Sequence, residues 1–148
     1  MVATVGDRTF RLVFRHEGTG KGLAKRVKDP GELAKAQRKM VKARKRTTAT
    51  VLEVLGEGEV RELASATVTH FYMDPYSKEL GRQFALKKLL RLAGGFEEWH
   101  DHRTGARHLV RRWEDKCGSL QEVAPVLTEA ERAAIHACYV NRGKGGAQ

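Results

Sequence analysis

The chain has 148 residues, 41% of them hydrophobic, a formal net charge of +10 and two cysteines. That length suits one domain able to bury a core of its own. Two cysteines exclude a disulfide-dense scaffold, and no run approaches the roughly 18 apolar residues of a membrane-spanning helix, so no membrane partner is expected.

The first residues, Met1 to Phe10, lack a basic start followed by an apolar stretch. No signal peptide is therefore expected, and the protein is read as cytoplasmic. From Thr9 to Arg15 apolar and polar residues alternate, with Phe10, Leu12 and Phe14 on one side and Arg11 and Arg15 on the other. Period two predicts a half-buried strand. Gly18-Thr19-Gly20-Lys21-Gly22 breaks the pattern as a loop.

Residues 21–46 hold eleven basic and two acidic groups, net +9. The first 20 residues are net +1 and residues 47–148 are neutral. Nearly all the excess charge therefore sits in one stretch, which points to a polyanion or an acidic protein face as partner rather than to solubility alone. Within it, Asp29 as N-cap, Pro30 at the first helical position and Glu32 behind them open a helix. At 100° steps Leu33, Ala36, Met40 and Val41 fall on one half, and Lys35, Arg38, Lys39, Lys42 and Lys45 on the other, giving an amphipathic basic helix over 29–46.

Thr47–Leu55 and Val60–Met73 read as strands joined by Gly56-Glu57-Gly58-Glu59, a hairpin signal. Asp74-Pro75 repeats the cap-and-proline pattern and predicts a helix to about Leu92, closed by Gly94-Gly95. Its inner stripe is Leu86, Leu89, Leu90 and Ala93, widened by Leu80 and Phe84. Residues 96–117 read as helical pieces around a Thr104-Gly105 turn, with the carboxylates of Glu97, Glu98 and Asp101 at an exposed helix end. Thr128-Glu129-Ala130-Glu131 is a capping box that opens a helix to about Val140 and places Cys138 in the core. The expected fold class is α+β: a small antiparallel sheet of about three strands, helices on one face and a helical C-terminal part. Residues 1–142 form one domain and 143–148 a flexible tail.

Thr47-Thr48, Asp74, Tyr76, Gly81-Arg82 and Ala85-Leu86 form a spaced pattern. On these residues the stretch from Thr47 to Leu90 resembles a family of small phage-encoded proteins, whose pattern runs from a Thr-Thr strand through a hairpin into Asp-x-aromatic, Gly-Arg and Ala-Leu. The resemblance implies a phage gene expressed in a bacterial host, and no catalytic residues. In their own right, Gly81 lets the helix approach the sheet closely, and Arg82, on the apolar side, needs a partner such as Asp74. The hairpin feeding a Ser77-Lys78 helix is also similar, at the level of fold order, to double-stranded RNA-binding domains.

Enzymatic motifs fail. A phosphate loop over Gly20-Lys21 would need Gly where Arg15 stands and Ser or Thr where Gly22 stands. His100-x-His102, a lone His108 and a lone Cys117 lack the two paired clusters of a zinc site, and spacing alone does not give Cys117 a base. No enzyme activity, metal, cofactor or small-molecule substrate is expected. Two functions remain. In the first, Lys21, Lys25, Arg26 and Lys28 with Lys35, Arg38, Lys39, Lys42 and Lys45 track the phosphates of a nucleic acid, without stacking, because residues 21–46 hold no aromatic. In the second, a phage host-takeover protein docks on host machinery such as RNA polymerase, with Trp99, Arg111 and Trp113 as interface anchors.

Overall fold

A computed structural model of the chain describes residues 1–18, 31, 35, 44–70 and 77–142. Among these are β1 (Val2–Val5), β2 (Arg8–Glu17), β3 (Arg46–Gly56), β4 (Glu59–Thr69), α1 (Lys78–Ala93), β5 (Phe96–His100), β6 (Arg107–Arg111), β7 (Trp113–Lys116), β8 (Ser119–Glu122) and α2 (Glu129–Val140). The first four strands form one antiparallel sheet in chain order, and β5–β6 and β7–β8 are separate two-stranded hairpins.

The alternation in β2 holds: Phe10 and Leu12 are buried, and Arg11 and Arg15 are exposed. β3 continues the same inner face with Thr47, Ala49, Val51 and Glu53, and β4 adds Ala66. Both helices cover this face, α1 over β3 and β4, and α2 over β1. Ala85, Leu86, Leu89 and Ala93 of α1, with Ile135 and Tyr139 of α2, complete the core. The other face of the sheet carries the exposed Arg11, Val13 and Arg15 and a hydroxyl ladder, Thr48 to Thr67 at 2.8 Å and Thr50 to Ser65 at 3.4 Å.

The expected hairpin pairs as predicted, Thr48 opposite Thr67 and Ala49 opposite Ala66, with a register shift where Leu63 is the extra residue. α1 begins later than Asp74-Pro75 suggests. Its N-cap is Ser77, whose hydroxyl accepts from the Leu80 N–H, and it ends at Gly94. Asp74 and Tyr76 lie outside the described residues, as does the tail 143–148. α2 opens with the expected capping box: Thr128 Oγ1 accepts from the Glu131 N–H at 3.1 Å, and Glu131 accepts from the Thr128 N–H at 2.9 Å.

The fold class is corrected. The domain is mostly β, with eight strands in three antiparallel sheets and two helices among the described residues, rather than about three strands under a helical layer with a helical C-terminal part. β1 pairs with β2 across Gly6-Asp7 and makes the sheet four-stranded. Residues 96–122 are two hairpins, not helical pieces. The second turns through Cys117 (φ 54°) and Gly118 (φ 82°) between the directly paired Lys116 and Ser119. Two consecutive positive φ values in a two-residue loop match the right-handed twist of the flanking strands and leave a helix no way through. Glu97, Glu98 and Asp101 accordingly belong to a strand and its turn, where Asp101 Oδ1 accepts from the Arg103 N–H at 2.9 Å.

One ionic network ties the layers together. Arg8 donates to Glu53 at 2.7 Å and to Glu131 at 2.8 Å, and Arg61 donates to Glu53 at 2.7 Å. Both carboxylates are buried. The Arg8 hydrogen bond, with that from Arg61, holds the Glu53 carboxyl below the ordinary carboxylate range against the cost of burial.

Candidate nucleic-acid interface

The basic stretch joins two neighbouring strands. Glu17, the last residue of β2, sits opposite Arg46, the first of β3, and the two side chains pair at 3.1 Å. Everything between them therefore leaves and re-enters the sheet at one end. Lys21, Lys25, Arg26, Lys28, Arg38, Lys39 and Lys42 lie outside the described residues, as do Leu33, Met40 and Val41. Gly31 and Lys35 are helical and exposed. The expected helix limit at 46 is too long: Arg44 and Lys45 are not helical, and Arg46 belongs to β3.

Lys45 lines a groove of about 910 Å3 at this end of the sheet. The Lys45 carbonyl accepts from the His70 N–H at 2.8 Å, which extends the β3–β4 ladder by one pair. The floor is Thr47 of β3 and Val68 and Thr69 of β4. One wall is the flank of α1, where Leu80, Phe84, Lys88 and Arg91 recur at helical spacing, and the other is the β5–β6 hairpin through Phe96, Glu98 and Arg107. Lys88 Nζ donates to the Thr67 carbonyl at 2.9 Å. Arg91 and Arg107 both pair with Glu98, the latter at 3.3 Å.

α1 can form this wall because it lies very close to the sheet. A Cβ at Gly81 would collide with the Thr47 hydroxyl and lie 3.2 Å from Thr47 Cβ. Thr47 Oγ1 in turn lies 2.9 Å from His16 Nδ1 in a hydrogen bond. Burial, and then the charges of Arg82 and Lys78, lower the His16 pKa from its ordinary value.

Arg82 pairs one turn back with Glu79, at 2.8 Å; Asp74, the partner expected from the sequence, lies outside the described residues. Glu79 also accepts from Arg142 at 2.6 Å, the Tyr139 hydroxyl at 2.9 Å and Gln83 at 3.2 Å. These donors, Arg82 first, hold its carboxyl at about 2. The cluster fastens α1 to the end of α2.

Leu80 and Phe84 do not widen the inner stripe of α1; they are 45% and 55% exposed on the groove wall. Neither was singled out in the sequence as a binding residue. The available signal was an apolar stripe broader than one helix face needs. Trp99 and Trp113 are both more than half exposed, on β5 and β7. Trp99 stacks on its cross-strand partner His108 at 5.8 Å between centroids. Arg111 covers the Phe96 ring at 5.0 Å and pairs with Glu122 at 3.2 Å. The His100 and His102 rings are 4.7 Å apart, whereas His108 is engaged by Trp99 and Cys117 is exposed at the β7–β8 turn. No group of three or more metal-ligating side chains comes together among the described residues.

No family model, characterised protein or solved structure matches the chain. The functional reading accordingly rests on charge and geometry. No helix among the described residues is long and apolar enough to cross a membrane.

Proposed function

We propose that the protein is a non-enzymatic regulator that binds nucleic acid through its basic stretch, phage-encoded as the Thr47–Leu90 pattern implies. The observation that carries this reading is the net charge of +9 on residues 21–46, inserted between two paired strands so that it enters and leaves the sheet at one end. Lys and Arg at this density release counterions from a phosphate backbone on binding. Lysines outnumber arginines at the candidate positions, which favours phosphate contact over base-edge readout and gives weak sequence preference.

The test reverses Lys35, Lys39 and Lys42 to Glu. Lys35 is exposed and the helical spacing puts Lys39 and Lys42 on the same polar face; charges on such a face contribute little to stability, so the thermal midpoint should stay near that of the parent while nucleic-acid affinity collapses. Log affinity for duplex DNA should fall linearly with log salt, the slope shrinking by about 0.9 for each phosphate contact removed. A triple variant that binds as well as the parent would leave the stretch as a solvated surface.

Trp99 and Trp113, both more than half exposed, support a second reading in which a host protein such as RNA polymerase is the partner. A pull-down from bacterial lysate with and without nuclease separates the two. Targets lost on nuclease treatment support the first reading, and a polymerase subunit retained after it supports the second.

A further inference from the structure

We propose that the groove beside the basic stretch takes unpaired nucleobases, so that the protein prefers single-stranded over duplex nucleic acid. This rests on the nucleic-acid reading above and assigns its bases a place. The groove, at about 910 Å3, falls in the range of sites that enclose organic ligands, about 300–1,000 Å3. Its distinguishing residue is Phe84, which is 55% exposed on a helix flank although Ala85, Leu86 and Leu89 beside it are buried. The second aromatic in the groove, Phe96, already has the Arg111 guanidinium over its ring. Among the described residues, the ring or cation contact of Phe84 is the Lys87 ammonium, at 5.9 Å from the ring centroid.

The groove sets Lys45, Lys88, Arg91 and Arg107 against Glu97 and Glu98, an excess of positive charge that suits an anionic strand. Lys88, one turn along, donates to a neutral carbonyl, with no carboxylate within ion-pair distance among the described residues. Lys45, one residue before the end of the basic stretch, also lines the groove. An exposed ring with cations in the same groove is the combination by which single strands are held, bases stacking on the aromatic while the backbone follows the positive charge. Duplex DNA keeps its bases stacked on each other and can use only the cations. Residues 21–46 supply no ring, so the stacking platform comes from α1, on the wall of the groove that Lys45 also lines.

The experiment measures binding of labelled oligothymidylate, oligouridylate and a mixed-sequence duplex of equal length to the parent and to Phe84→Ala and Phe84→Trp. Thermal melts monitor folding, which the exposed position should leave unchanged. Stacking of one base predicts that Phe84→Ala binds single strands about 5- to 150-fold more weakly. Its salt slope and its duplex affinity should stay at parent values, and Phe84→Trp should retain single-strand binding. The two single strands distinguish DNA from RNA as the source of the base. A Phe84→Ala variant that binds single strands as tightly as the parent, or loses single-strand and duplex binding equally, overturns the groove proposal and leaves the phosphate reading standing. A parent that binds none of the three probes overturns both.

Discussion

An alanine at a helix-interior glycine ordinarily stabilises by about 0.5–1 kcal/mol. At Gly81 the sign should reverse, because the added methyl would meet Thr47 of β3. Overpacking of this kind costs about 1–3 kcal/mol, so the urea midpoint of Gly81→Ala should fall with an unchanged m-value. A raised midpoint would mean that α1 can withdraw from the sheet at no cost. Glu79 carries a second residue-scale consequence. Its folded pKa of about 2 lies below the ordinary 4.5. Its carboxylate therefore stabilises the fold fully above about pH 4.5, and that contribution is lost as pH falls towards 2. Glu79→Gln should lose less stability across this interval than the parent in a pH series of chemical unfolding curves. Glu53 and Glu17 are lowered too, so part of the acid limb should persist.

At the scale of elements, what was legible depended on length and on local chemistry. The β2 alternation, the β3–β4 hairpin and the Thr128–Glu131 capping box could be read because each is set by neighbouring residues. β1 was not, since Val2–Val5 is too short for a period to stand out. The two C-terminal hairpins were missed because Trp99, Leu109, Trp113 and Leu120 are exposed, so no buried face imposes alternation. In the site, the density of charge at 21–46 was evident, but the groove was not. α1 faces a sheet surface made partly of Ala49 and Ala66, and only a narrow stripe of the helix reaches it, leaving Leu80 and Phe84 outside. Truncations should separate the two sets. Leu86→Ala or Leu89→Ala should cost about 2–5 kcal/mol, and Leu80→Ala no more than about 0.5 kcal/mol, measured by denaturant unfolding. A large loss at Leu80 would place it in the core after all.

For the whole molecule, the interleaving of charge and fold matters most. The remainder of the chain, net +1, supplies most of the sheet and the core, while most of the excess positive charge sits between β2 and β3, two strands that must lie side by side. Pairing Glu17 with Arg46 thus closes a loop whose contents repel one another. Loop closure is an entropic cost met before the contacts it permits are made, and like charges extend the intervening chain and make its ends meet less often. Ionic strength should therefore act on the folding clock. Stopped-flow refolding should accelerate from low to moderate salt as the Debye length shrinks from about 30 Å at 0.01 M to about 8 Å at 0.15 M, with a much smaller change in the unfolding arm. Replacing the lysines of the stretch by glutamine should erase the effect. By the same reasoning, a polyanion added to the unfolded chain would act on its folding as a counter-ion before it acts on the folded protein as a ligand.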